Sequence, residues 1–111
     1  MEKNLSDDLV LFFSKFSVML SNGIPLIKTL ENLEKESTNE ILSQALKQII
    51  NGFNSDKSKH LSDLMQQFPN IFDKHIIRLI KVGEEIGLLD LISGNIPEYI
   101  LFSRLEEWKK G

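Results

Sequence analysis

The chain has 111 residues, a formal net charge of −3, 41% hydrophobic residues and 26% charged residues. This length fits one domain with a buried core, and the composition is typical of a folded chain. The sequence has no cysteine, which excludes disulfides, thiol catalysis and thiolate metal sites. The negative charge gives no general attraction to nucleic acid or anionic lipid. The longest uninterrupted apolar run, residues 9–13, is far shorter than the ~20 residues of a membrane-spanning helix.

Apolar residues recur at intervals of three and four along almost the whole chain, a spacing typical of amphipathic helices. The first helix is predicted to begin after Ser6 and to be closed by Gly23 in a left-handed conformation. Pro25 is predicted to open the second helix, since proline is tolerated in a first turn. A third helix follows with an apolar stripe from Ile41 to Phe53. The connections are short, so these helices should pack as successive hairpins.

Three further helices are predicted after a polar loop at residues 54–60. A short fourth helix should end before Pro69, and Phe72 is expected to begin the apolar stripe of the fifth. The sixth should be kinked or restarted near Gly94–Pro97, because proline removes a backbone hydrogen bond from a helix. The sequence therefore predicts an all-α fold, a compact bundle of about six helices with the last one interrupted.

Residues suited to catalysis are few. His60 and His75 have no second histidine at helical spacing, so a zinc pair is absent, and both are predicted to lie at the surface. The third helix would be the recognition helix of a helix-turn-helix motif, but it carries one cation, Lys47, too few to anchor it to phosphates. We therefore predict no enzyme activity, no cofactor, no metal site of the zinc type and no nucleic-acid partner.

An acidic cluster stands out in residues 83–90, which we predict to form a glycine-bracketed turn between two helices. Its carboxylates are Glu84, Glu85 and Asp90. Three interpretations are open. The carboxylates cap helix ends, they receive the arginine or lysine of a partner protein, or they form a low-affinity calcium or magnesium site.

The turn elements also form an ordered set that resembles a known family. The elements read Gly23-Ile24-Pro25-Leu26, Phe68-Pro69-x-x-Phe72 and Gly83-Glu84-x-x-Gly87-x-Leu89. This set is similar to the F domain of the inner-membrane platform proteins of bacterial type II secretion systems and type IV pilus assembly machines. The similarity extends over roughly residues 9–105. Gly83 and Gly87 are expected to shape the turn.

The resemblance implies a cytoplasmic six-helix bundle that precedes the first transmembrane helix of a longer protein. We accordingly expect the chain, residues 1–111, to be one cytoplasmic domain of a bacterial inner-membrane protein. The expected function is that of a scaffold without enzymatic activity, and the expected partners are the assembly ATPase and other inner-membrane components. Trp108-Lys109-Lys110 would suit the cytoplasmic edge of a bilayer, or would complement a helix dipole.

The candidate contact residues are Glu84, Glu85 and Asp90, with Arg78 and Lys81 on the adjoining helix. Homodimerisation is a further expectation, for which the sequence indicates no surface. The alternative function is that of a free-standing cytoplasmic adaptor or regulatory domain.

Overall fold

The computed structural model describes the backbone of residues 4–110 and the side chains of residues 4–107. Seven helical segments follow one another in this part of the chain. They are α1 (Leu5–Ser21), α2 (Leu26–Glu36), α3 (Glu40–Ser55), α4 (Leu61–Met65), α5 (Lys74–Ile86), α6 (Leu89–Ser93) and α7 (Ile96–Lys110). The predicted all-α fold is confirmed, and residues 4–110 contain no strand.

The predicted last helix is present as two pieces, α6 and α7, with a break at residues 94–95. Pro97 lies in the first turn of α7, where its missing N–H removes no intrahelical hydrogen bond. The predicted interruption near Gly94–Pro97 is therefore confirmed, and its cause is that the helix restarts around proline.

α1 is fixed at both ends by local backbone chemistry. It begins slightly earlier than predicted, at Leu5, because the Asn4 side chain accepts a hydrogen bond from the N–H of Ser6 at 2.9 Å. It ends as predicted at Gly23, which has a φ of 83°. The Ile24 N–H then donates back to the Met19 carbonyl at 3.1 Å, which completes the glycine cap.

The core is centred on phenylalanine side chains of α1. Phe13 and Phe16 are fully buried, and the Phe13 ring meets Phe72 edge-on with centroids 6.3 Å apart. This edge-to-face geometry is the one that aromatic pairs prefer. The expected hairpin contacts are present, since α1 packs on α2 and α2 packs on α3; α1 also packs on α6 and α7.

Two predictions about individual residues are wrong. Phe72 does not belong to the fifth helix, because residues 68–72 form a turn in which the Phe72 N–H donates to the Phe68 carbonyl at 2.9 Å. α5 begins only at Lys74. Ile41 is 61% exposed and not on the buried stripe, because it lies in the first turn of α3, to one side of the core-facing row.

The polar loop is shorter than predicted, since α3 continues to Ser55. In the remaining loop the Ser58 hydroxyl and N–H donate to the Asp56 carboxylate at 2.6 and 3.0 Å. These hydrogen bonds hold the pKa of Asp56 below its ordinary value.

α1 and the α6–α7 pair run antiparallel and are joined by polar contacts at both ends of α1. Near its start, the Arg104 guanidinium binds Asp7 at 2.6 Å. Near its end, the Ser17 hydroxyl donates to the Asp90 carbonyl at 2.7 Å. The early residue of α1 contacts the later residue of the α6–α7 pair and the late residue of α1 contacts the earlier one, so the two segments run antiparallel.

No helix within residues 4–110 is both long and apolar enough to cross a bilayer. The side chains of Trp108, Lys109 and Lys110, for which a membrane-edge position was one interpretation, lie outside the described residues.

Candidate partner-binding surface

The first part of the acidic segment, which was predicted to be a turn, is helical. Gly83, Glu84 and Glu85 belong to the last turn of α5, and the helix ends at Gly87, which has a φ of 73°. Gly83 is helical, and α6 packs closely on it: a Cβ there would lie 3.0 Å from the Leu89 Cα. The glycine that breaks the helix is therefore Gly87, whereas Gly83 allows two helices to approach each other.

Glu84 caps a helix distant in sequence. Its carboxylate accepts hydrogen bonds from the backbone N–H groups of Leu61 at 2.7 Å and Ser62 at 3.2 Å, the first two residues of α4. The residue before α4, His60, provides no side-chain cap of its own. Since only 14% of the Glu84 side chain is exposed, the structure supports the capping interpretation for this residue.

The carboxylates of Asp90 and Glu85 lie in surroundings different from those of Glu84. The Asp90 carboxylate accepts a hydrogen bond from the Ser21 hydroxyl at 3.3 Å, which ties α6 to the end of α1. Glu85 is exposed and makes no hydrogen bond or ion pair with the side chains of residues 4–107. Within the described chain, no three histidine or acidic residues are close enough to hold a metal ion, so the three carboxylates do not form a common cation site.

The predicted basic residues lie along the outer face of α5. Arg78 and Lys81 are exposed, and neither forms an ion pair with a described side chain. Lys74, which the sequence analysis did not select, stands four residues before Arg78 and is equally exposed. Spacings of four and three place the three cations on one helix face, a pattern that was readable from the sequence once the start of α5 was known.

Exposed apolar side chains flank this basic row. Val82 follows Arg78 by four residues and is 39% exposed, and Ile86 follows Val82 by four and is 56% exposed. We name the five residues Lys74, Arg78, Lys81, Val82 and Ile86 the α5 ridge. The ridge combines positive charge with uncovered apolar surface, and Glu85 lies at its end.

A second polar group, which sequence reasoning missed, joins α7 to the start of α5. One oxygen of the Asp73 carboxylate accepts the Ile76 N–H at 2.9 Å, which caps α5, and the other accepts the Tyr99 hydroxyl at 2.6 Å. The Tyr99 ring stacks on His75 with centroids 4.2 Å apart. Burial, aided by the bond to Asp73, raises the pKa of Tyr99.

His75 and His60 are both exposed, as predicted. The Nδ1 of His60 lies 4.0 Å from the Glu84 carboxylate, so the two form an ion pair only when the histidine is protonated. The described residues thus form an all-α domain in which unpaired charged residues and exposed apolar side chains lie together along the outer face of α5. Other exposed apolar side chains, such as Leu91 and Phe102, lie on α6 and α7. The class of protein that this fold defines is a helical bundle domain.

Comparison with known proteins identifies the family. A family model described as type II secretion system (T2SS), protein F, matches residues 12–110. The chain belongs to this family, and the resemblance inferred from its turn motifs is confirmed.

Curated relatives agree with this assignment. The chain is 26% identical to a type IV pilus assembly protein PilC of Myxococcus xanthus and 29% identical to a PilC of Thermus thermophilus. It is 27% identical to the type IV pilus assembly protein TapC of Aeromonas hydrophila. These matches cover 83%, 84% and 83% of the chain but 22% of each relative, so the chain spans about a fifth of the length of these proteins.

Proposed function

We propose that this chain is a cytoplasmic scaffold domain of an inner-membrane platform protein that serves type IV pilus assembly or type II secretion. The observation that carries the proposal is the family match over residues 12–110. The names of the relatives, which are type IV pilus assembly proteins, support the pilus branch. In this proposal the domain carries no enzymatic step and acts by holding other proteins in position.

The proposed principal partner is the assembly or secretion ATPase, which the domain binds together with other inner-membrane components. The proposed contact residues are Arg78, Lys81, Glu85 and Asp90. The first three are exposed side chains without an ion pair among the described residues, and such charges are free to pair with a partner. Glu84 is also a candidate contact residue, although most of its side chain is buried and its carboxylate accepts the N–H groups of Leu61 and Ser62.

The proposed setting is a longer protein in the inner membrane, with this domain on the cytoplasmic side. The share of the relatives that the chain spans, 22%, supports a larger whole. The coding sequence after Gly111 tests the proposal. An apolar span of ~20 residues within the next few tens of residues agrees with it. A stop codon directly after Gly111 would instead favour the free-standing adaptor.

The partner assignment is tested by capture of the cognate ATPase on the full-length protein. We expect capture by the wild type and weaker capture by Glu85→Lys, since this change reverses a free charge at the surface. Glu106→Lys is the matched control, because Glu106 is an exposed glutamate on α7. Absence of ATPase from the wild-type capture would overturn the assignment.

Sedimentation of the same full-length protein tests the predicted homodimer.

A further inference from the structure

The α5 ridge is electrostatically unfavourable in the domain itself. Lys74 and Arg78 are four residues apart, and Arg78 and Lys81 three apart, the spacings at which like charges on a helix repel. Lys74 is also the first residue of α5, where the helix dipole disfavours a cation; the Asp73 carboxylate beside it caps the helix and forms no ion pair with Lys74. No described side chain neutralises any of the three cations.

The chain has a net charge of −3, yet the nearest acidic residues in sequence, Asp73, Glu84 and Glu85, form no ion pair with these cations. Glu84, on the same helix, is occupied with the amides of α4. A row of unpaired like charges at the surface is available to pair with a molecule of opposite charge.

The apolar residues of the ridge indicate what kind of molecule would bind to it. Val82 and Ile86 continue the row of Arg78 at four-residue spacing, so charge and apolar surface share one face about 18 Å long over the length of α5. A ligand that matches both must present carboxylates and apolar side chains along one line, as an amphipathic helix does.

We propose that the α5 ridge binds an acidic amphipathic helix of a partner protein. The partner's carboxylates stand at intervals of three and four residues opposite Lys74, Arg78 and Lys81, and its apolar side chains cover Val82 and Ile86. This inference deepens the proposed function and rests on it, since it gives the chemistry of a partner at the same face.

An anionic membrane surface is the competing ligand for three cations. Two features of the ridge favour a protein. Glu85 follows Lys81 by four residues on the same face; a protein can place a cation opposite this carboxylate, whereas an anionic lipid surface repels it. Moreover, three basic residues are fewer than the four to eight of typical lipid-binding clusters.

The test uses the full-length protein in its native cells, with a photo-crosslinking amino acid at Val82. Ile41, an exposed apolar residue on α3, is the control position. We expect Val82 to crosslink to one protein segment that carries carboxylates at helical spacing. A phospholipid adduct, a segment without such carboxylates, or no adduct from a functional protein would each overturn the proposal.

Charge reversal then tests whether binding depends on the ridge cations themselves or only on the net charge of the domain. Lys74→Glu, Arg78→Glu and Lys81→Glu together should lower the crosslink yield about tenfold, as three partly exposed ion pairs would predict. The matched control reverses Lys28, Lys47 and Lys59, which are exposed elsewhere and change the net charge equally. Reversal of the partner's carboxylates to lysine should restore the yield; equal yields from both triple variants would overturn the proposal.

The outcomes also distinguish this inference from the assignment of the ATPase. If the ATPase is captured but the ridge reversal leaves capture unchanged, the ridge proposal fails and the partner assignment stands. If the crosslinked acidic helix belongs to another protein and the ATPase is not captured, the ridge proposal stands and the assignment fails.

Discussion

The Tyr99 hydroxyl donates a 2.6 Å hydrogen bond to Asp73, the residue whose other carboxylate oxygen caps α5. The Asp73 carboxylate therefore joins α7 to α5 and also caps the N-terminus of α5. The arrangement links α7, through a single side chain, to the beginning of the helix that carries the ridge.

Tyr99→Phe should destabilise the domain by about 1 kcal/mol, because it removes a hydrogen bond to a charged group at a partly exposed site. Equilibrium urea unfolding measures the change. Asp73→Asn, which can still cap the helix, should cost less than Asp73→Ala, which loses both interactions. A double-mutant cycle with no coupling between Tyr99 and Asp73 would contradict this account.

The raised pKa of Tyr99, which is caused first by burial and then by the bond to Asp73, predicts a dependence of stability on alkaline pH. Because the pKa of Tyr99 is raised in the folded state, the unfolded chain loses its phenol proton first. The stabilisation is complete below the ordinary tyrosine pKa of about 10 and is lost as pH rises through the folded value. Tyr99 is the one tyrosine of the chain, so ultraviolet titration reports it directly, and Tyr99→Phe should abolish this part of the pH dependence.

Glu84→Gln should destabilise the domain by roughly 1–2 kcal/mol, since a largely buried carboxylate that accepts two backbone N–H groups becomes neutral. Glu85→Gln, its exposed neighbour, should stay within about 0.5 kcal/mol of the wild type. Thermal or urea unfolding compares the two. Equal effects at both positions would show that the cap contributes nothing.

These carboxylates show what the sequence could and could not reveal. Capping was one of the interpretations open for Glu84, but its actual partners lie 23 residues away at α4. Only the packing of α4 on α5 brings them together, and no local pattern contains that information. The bond between Tyr99 and Asp73, 26 residues apart, was hidden for the same reason.

Predictions that rested on the local backbone preferences of glycine and proline were more successful than predictions of contacts between distant residues. The closure of α1 at Gly23 and the restart near Pro97 followed from the conformations that glycine and proline permit. Gly83 and Gly87 were both expected to shape the turn, but only Gly87 ends α5; Gly83 lies within the helix, where close contact with Leu89 favours the smallest residue. The all-α class, set by repeated apolar spacing, was fully predictable.

Gly83→Ala should destabilise the domain by about 1–2 kcal/mol. The added methyl group would meet backbone of α6 at 3.0 Å, and this overpacking outweighs the better helix propensity of alanine. Gly87→Ala should also destabilise, but for a different reason, because its φ of 73° is costly for alanine while nothing crowds the site.

Asparagine separates these two mechanisms, since it tolerates the left-handed conformation but is larger than alanine. At position 87 asparagine should be milder than alanine, and at position 83 it should be worse. Unfolding free energies of the four variants give the comparison. The same ranking at both positions would refute the distinction.

Arg78→Gln should raise the stability of the domain by about 0.5 kcal/mol, because it relieves repulsion with Lys74 and with Lys81. The gain should shrink in high salt, which screens exposed charges. Lys47→Gln, the removal of an exposed cation on α3, serves as the control and should give no such gain. Urea unfolding at low and high salt provides the measurement, and a loss of stability would show that Arg78 has a favourable contact within the fold.

The contacts at the two ends of α1 determine how the domain would bear mechanical load. The Arg104–Asp7 pair joins α1 to α7 and the Ser17–Asp90 bond joins α1 to α6, so sliding of the α6–α7 pair along α1 would strain both contacts. Bonds loaded together in shear share the force, whereas bonds in a peeled interface break one after another. Sliding of the α6–α7 pair along α1 is therefore opposed at both ends of α1.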